Sequence, residues 1–327
     1  MNGSAEPPTV AVTGATGYVG SRVVEVLRTA HPEWTVRPLS HHESGPAIDG
    51  GIEHVDIRER DRLTDALAGS DVVVHLAAVS GVKNCDENPE LAYEVNVQGT
   101  NNVAWFCWRE TAALVFPFSV AVLGTPESMP VTVDSPRTPM NWYGRTKVLG
   151  ERAVQIFARG SFPAHLFLKS NIYGEHTANG ERISKSTVIN FFIERAMSGE
   201  SLPVYEPGTQ ARDYVHVRDV GDAYRRSVER LVDELDDGTT GTKGYEIASE
   251  EQTDVLSLAE LVQRTVADET GRSPDIELIE NPRSNETLVT DFDVDTTRAE
   301  RELGWQPDRS IRETVRRLVR RKVEEGY

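Results

Sequence analysis

Tyr143 and Lys147 stand four positions apart in the stretch NWYGRTKVLGE, residues 141–151. On a helix, positions i and i+4 share one face, about one turn apart. A phenol and an ammonium so placed share one reaction space. The cation favours the phenolate, bringing proton transfer nearer neutral pH than the ordinary tyrosine pKa of about 10 allows. The spacing fits a surface Tyr and Lys equally well, so the pair needs a cofactor site around it. VTGATGYVG supplies one, with Gly14, Gly17 and Gly20 between an apolar strand and an amphipathic helix. The first glycine permits a tight turn, and the helix N-terminus offers N–H groups and a positive dipole to a pyrophosphate. Missing Cβ atoms let the backbone come close. Together with Tyr18 and Val19, this turn predicts a dinucleotide site for NAD or NADP.

In such a site an acidic residue about 20 positions on, at the end of the second strand, usually holds the ribose 2′-OH. Here that end reads RPLSHHES, with Ser40 in the carboxylate's place. Ser40, His41 and His42 leave room for a 2′-phosphate, with Arg22 or Arg37 as helpers, which puts NADP beside NAD. Glu43 or a shifted register would restore NAD. Asp56 and Ile57, after the third strand, form a natural adenine-edge site, though a plain surface Asp reads the same.

The elements that must carry these residues alternate. Strands are expected at TVAVT, WTVRPLS, GIEHVDI, SDVVVHLAAVS, ALVFPFSVAV and AHLFLKSNIYG, with helices between them, including a long one over ELAYEVNVQGTNNVAWFCWRETA and the Tyr–Lys helix over 143–158. The unbroken apolar run in DVVVHLAAV suits a central parallel strand covered on both faces. The pattern predicts an α/β fold, a Rossmann-type doubly wound parallel sheet with a smaller interleaved C-terminal lobe for the substrate. Residues 9–174 form the first lobe and 212–248 return to it; 175–211 and 249–327 form the second. EHTANGERISK reads as a polar loop, DELDDGTTGTKG as an acidic surface loop, and residues 1–8 as a short disordered lead.

The chain has 327 residues and a net charge of −17, with no basic stripe, which argues against nucleic acid as a partner. No run approaches the roughly 20 apolar residues of a membrane span, and MNGSAEPPT lacks a basic region followed by an apolar one. Cys85 and Cys107 are too few for a disulfide framework and read as free thiols in a cytoplasmic protein. Lysine is scarce beside Arg, which suits a high-salt cytosol or, equally, a GC-rich genome.

The glycine turn, HLAA at 75–78, Asn96 in EVNVQGT and the Tyr–Lys pair stand together with SVAVLG at 119–124, SNIYG at 170–174, QARDYVHVRDV at 210–220 and RELGWQP at 301–307. In this the chain resembles the extended short-chain dehydrogenases/reductases, the NAD(P)-dependent sugar-nucleotide epimerases and dehydratases. The resemblance implies that Tyr143 is the acid/base and that Lys147 holds the nicotinamide ribose. It implies that Ser119 bonds the reacting hydroxyl, that Leu76, Ala77, Ala78 and Asn96 line the cofactor, and that Asn96 is also a structural or relay residue. Asn171, Arg212 and Arg283 take the positions that contact a substrate nucleotide. It also implies a homodimer built on the helix near 91–110 and the Tyr–Lys helix, with Trp105, Phe106 and Trp108 as interface anchors or core.

The departures bear on the reaction. Val120 and Ala121 follow Ser119 where the dehydratases have an Asp–Glu pair, which argues against dehydration. Leu123 and Phe118 replace the family's usual Tyr and small hydroxyl residue, Lys169 its Arg, and Asn285 and Glu286 its Gly and Asp beside Arg283. The leading expectation is 4-epimerisation of a UDP-sugar. With Ser40 and Leu123 in view, net oxidation of a free aldose such as L-arabinose at C1 is the alternative, and a non-catalytic NAD(P)-binding regulator is the third reading.

Overall fold

The computed structural model describes residues 6–42, 51–282 and 289–326. Residues 1–5 of the expected lead lie outside these, and Pro8 already joins the sheet, its carbonyl accepting from the Thr35 N–H at 3.1 Å. Short runs of β-branched and apolar residues pair into a seven-stranded sheet, every pairing parallel. Its spatial order is Gly241–Ile247, Pro163–Lys169, Ala113–Ser119, Val72–His75, Thr9–Thr13, Thr35–Ser40 and Glu53–His54. The direction of winding reverses between Thr9–Thr13 and Val72–His75, where Thr13 lies opposite His75. Doubly wound sheets bind ligands beyond the strand ends at such a switch point.

Alternate residues of these strands enter opposite cores. Ala11, Val73, Leu114 and Phe116 pack with Val103, Phe106 and Val154 on one face. Val10, Val12, Val72, Val74 and Val115 pack with Val23, Leu27, Tyr224 and Val228 on the other. Covered on both faces, Val72–His75 is buried throughout, as its apolar run predicts. A third core, with Phe192, Leu258, Val262, Val315 and Val319, belongs to the smaller lobe and its helices Val188–Met197, Val255–Thr270 and Ile311–Glu324.

The lobes interleave more finely than the sequence suggests. Ala211–His216 pairs with Asn171–Tyr173 and Gln252–Asp254 in a small sheet. The return to the large sheet begins with helix Val217–Asp236 and ends with its edge strand. Trp305 also packs back onto the first lobe, its Nε1 donating to the Asp219 carbonyl at 2.9 Å.

Four local readings change. Residues 175–184 are not a loop but the hairpin Glu175–Ala178 with Glu181–Ser184. Asn179 and Gly180 have φ of 46° and 78°, the two positive values a type I′ turn demands. The long helix is interrupted: Pro89–Tyr93 and Thr100–Glu110 are α-helical, but Glu94–Gly99 between them is a π-helix. The strand expected to continue through SVAV ends at Ser119 and turns into the 3-10 segment Val120–Val122. Helix Val217–Asp236 takes the first four residues of the acidic loop and strand Gly241–Ile247 its last four, leaving only 237–240 between them. No helix among the described residues is long and apolar enough to cross a membrane.

Candidate active site

Helix Trp142–Ala158 starts on Asn141, whose Oδ1 accepts from the Gly144 N–H at 2.9 Å. Asp86 Oδ1 accepts from the Trp142 N–H at 2.9 Å. At Gly144 a Cβ would stand 2.5 Å from the Ala121 carbonyl oxygen, so only glycine lets the first turn of this helix sit against the turn after Ser119. That contact brings Tyr143 and Ser119 to one cavity. One turn on, Lys147 is 6% exposed, its ammonium 5.1 Å from the Phe116 ring centroid. The Ser119 hydroxyl accepts from the Ala121 N–H at 3.3 Å.

Burial and the neighbouring Cys85 push the Tyr143 phenol up to about 12. The lowering expected from Lys147 is therefore not met in the protein alone, because desolvation of the phenolate dominates. Burial pulls Lys147 itself down to about 8, opposed by Cys85. Burial thus favours the uncharged form of each group, and a ligand charge placed beside either one shifts it.

One cavity of about 1690 Å³ runs from the glycine turn past Tyr143 into the smaller lobe. It exceeds the roughly 300–1,000 Å³ of a single small-ligand pocket, which gives room for two ligands. Gly14, Gly17, Tyr18, Val19 and Gly20 line one end. A Cβ at Gly20 would strike the Gly14 carbonyl, and one at Gly14 (φ 69°) would stand 2.6 Å from the Ala77 nitrogen. The cradle is thus shaped by missing side chains, as a pyrophosphate at a helix N-terminus requires. Leu76, Ala77 and Ala78 line it too. Their turn is held by Thr13 Oγ1, which accepts from the N–H of Leu76 at 3.1 Å and of Ala77 at 3.2 Å. His75 bridges Thr13 and Thr100 at 2.8 and 3.0 Å, and burial pulls it down to about 3, so it is a neutral brace.

At the ribose end, Ser40 Oγ meets Thr16 Oγ1 at 2.8 Å and accepts from the His42 N–H at 3.1 Å. Arg22 pairs with Glu25 at 2.5 Å, and Arg37 donates to the Ala66 and Ala68 carbonyls at 2.5 and 2.7 Å. Neither lines the cavity, so the two arginines expected to hold a 2′-phosphate are engaged elsewhere. His41, Asp56 and Ile57 do line it. Asp56 accepts from Arg58 Nε and a terminal nitrogen, at 3.0 and 2.6 Å, and those bonds hold its carboxyl below the usual range.

Asn171 and Arg212 line the far part of the cavity. Asn171 Nδ2 donates to the Asp213 carbonyl at 3.1 Å. The Asp213 carboxylate accepts from the Ser249 N–H at 3.0 Å and its hydroxyl at 3.0 Å. Arg283 lies outside the described residues, as do Asn285 and Glu286.

Asn96 differs from the other expected cofactor contacts in not lining the cavity. It is 1% exposed, with Oδ1 accepting from the Val79 N–H at 2.8 Å and Nδ2 donating to the Val79 carbonyl at 3.0 Å and Thr146 Oγ1 at 3.1 Å. It acts as a brace between the HLAA turn and the Tyr–Lys helix. Sequence reasoning missed Arg58, Tyr205, Lys83 and Lys185 as lining residues, and passed over Lys169 as a mere departure. The scarcity of lysine held the signal, because four of the six line this one cavity.

The model of the NAD dependent epimerase/dehydratase family matches residues 10–239. A provisionally named UDP-glucose 4-epimerase of Methanocaldococcus jannaschii is 30% identical, over 95% of this chain and 97% of its own. The UDP-glucose 4-epimerase of Mycolicibacterium smegmatis is 28% identical, over 94% of this chain and 96% of its own. Among solved structures, that of the Thermus thermophilus UDP-glucose 4-epimerase in complex with NAD has a TM-score of 0.78 and 24% identity, covering 95% of this chain and 97% of that one.

Proposed function

Because this chain belongs to the NAD dependent epimerase/dehydratase family, we propose that it inverts C4 of a UDP-linked sugar, with Tyr143, Lys147 and Ser119 as its catalytic residues. The carrying observation is that one cavity joins the glycine cradle, the Tyr–Lys pair and Arg212. The chemistry NAD supplies when bound is hydride exchange with C4 of the sugar. Gly14, Gly17, Tyr18, Val19 and Gly20 hold its pyrophosphate; Ser40, His41, Asp56 and Ile57 hold its adenosine end; Leu76, Ala77 and Ala78 wall its middle. Lys147 holds the nicotinamide ribose. Tyr143 takes the proton of the sugar O4 and returns it, and Ser119 keeps that oxygen in reach through a hydrogen bond. Lys147 favours the phenolate against the burial that opposes it. Asn171, Arg212 and Arg283 hold the nucleotide, with the planar guanidinium of Arg212 suited to a diphosphate.

Full-length similarity to 4-epimerases favours this over net oxidation of a free aldose. The test mixes the protein and NAD with UDP-glucose, UDP-galactose and their analogues or, separately, with free aldoses, and follows the sugars by proton NMR and absorbance at 340 nm. Interconversion with a flat 340 nm trace is expected. A sustained rise at 340 nm with a free aldose would replace epimerisation by dehydrogenation.

The homodimer is part of the same proposal. Ile156, Leu149 and Trp108 are 70%, 49% and 46% exposed on the mutually packed helices Trp142–Ala158 and Thr100–Glu110, whereas Phe106 is core. A second copy covering this apolar face would explain it. Light scattering should give twice the monomer mass for the wild type and a monomer for Ile156→Arg; a wild-type monomer at every salt concentration excludes the dimer. Cytoplasmic residence fits Cys85 and Cys107, both buried and free.

A further inference from the structure

The described lining of the large cavity carries six cationic side chains and two acidic ones, in a chain of net charge −17. Most of the cations are accounted for. Arg58 is paired with Asp56 and Glu94, each at 2.6 Å, and Lys83 lies 3.8 Å from Glu87. Lys147 belongs to the Tyr–Lys pair and Arg212 to the nucleotide. Lys169 and Lys185 remain, and neither has a carboxylate within ion-pair range among the described residues. Lys185 donates to Ser80 Oγ at 3.2 Å, and the Lys169 ammonium lies 5.8 Å from the Tyr224 ring centroid. Lys169 is half-buried and Lys185 is exposed at the cavity wall. A half-buried cation without a counter-charge is costly, and a ligand anion that also reaches Lys185 is the natural remedy.

Their position says which part of the ligand they meet. Lys169 ends the strand beside Ser119 and is its direct register partner. Lys185 is tied through Ser80 to the segment whose helix Val82–Glu87 packs against the Tyr–Lys helix. The Ser80 carbonyl accepts from Asn84 Nδ2 at 3.0 Å, and the next residue, Cys85, sits close enough to Tyr143 and Lys147 to perturb both. The two spare cations therefore flank the sugar, not the uridine.

Resting on the 4-epimerase reading above, we propose that the preferred substrate is a UDP-hexuronic acid, whose sugar carboxylate is bound by Lys185 with Lys169 adding charge beside Ser119. A neutral hexose leaves both ammonium groups uncompensated, whereas a carboxylate supplies the missing charge and acceptor oxygens. Burial, with Lys147 and Lys185 nearby, pulls Lys169 down to about 7, and a carboxylate beside it would favour its charged form.

The test measures kcat/KM for UDP-glucuronate and UDP-galacturonate against UDP-glucose and UDP-galactose. The wild type should prefer the acidic pair by at least tenfold. Lys185→Met should cut that preference ratio at least tenfold, about 1.4 kcal/mol, and Lys185→Arg should retain most of it. Equal or better use of the neutral pair overturns the proposal and leaves 4-epimerisation standing, as does a ratio indifferent to Lys185→Met. No epimer from any of the four sugars overturns both.

Discussion

Tyr143→Phe should lose about 10²–10⁴-fold in turnover, the range set by removing a positioned acid/base, while still binding NAD. The ring is kept, so the packing around the first turn of helix Trp142–Ala158 is kept, including the Asn141 cap and the Gly144–Ala121 approach. Only the hydroxyl goes. Two of its titratable neighbours do not replace it as a base. His75 is a neutral brace locked between two threonines, and the Cys85 thiol is pushed up to about 11 by burial. Full turnover in the variant, measured as epimer formed per active site, would remove Tyr143 from the chemistry. A loss of NAD binding equal to the loss of turnover would make it a cofactor contact only.

What the sequence made legible was whatever rests on local rules. The strand–glycine turn–helix unit follows from backbone geometry, and the Tyr–Lys spacing follows from helical pitch. The alternation of Val10, Ala11 and Val12 between two cores follows from the period of a strand. What stayed hidden depends on partners far along the chain. The π-helix at Glu94–Gly99 leaves no periodic mark, and Asn96 within it is held by Val79 and Thr146. Single-turn π segments inside helices are frequent near functional sites, and this one places its Asn between two parts of the cavity wall. The fate of Arg22 and Arg37 was equally hidden. Both stand near the ribose end in sequence, yet a carboxylate and two carbonyls claim them, which leaves the NADP reading without its cations. The hairpin at 175–184 was legible and overlooked, since Asn179-Gly180 is a strong local signal for a tight turn.

Lys147→Met should make the protein without ligands more stable and the enzyme nearly inactive. Burial holds the Lys147 pKa at about 8 against an ordinary 10.5. At 1.36 kcal/mol per pH unit this gap is a penalty of about 3 kcal/mol for keeping the ammonium charged in the fold. The sign follows from proton counting. Between pH 8 and 10.5 the unfolded chain binds more protons at this site than the folded one, so the wild type gains stability as pH rises through that window. The penalty is whole below about 8 and gone above about 10.5. Met fills similar volume with no charge, so its advantage in melting temperature should amount to a few degrees at about pH 7 and shrink toward about pH 10. Its turnover should fall by about 10²–10⁴-fold, because the phenolate of Tyr143 then has burial against it and no cation beside it. A variant less stable near neutral pH, with an unaltered pH profile, would show that Lys147 serves packing. A stabilised but fully active variant would show that the Tyr143–Lys147 pair is not the catalytic one.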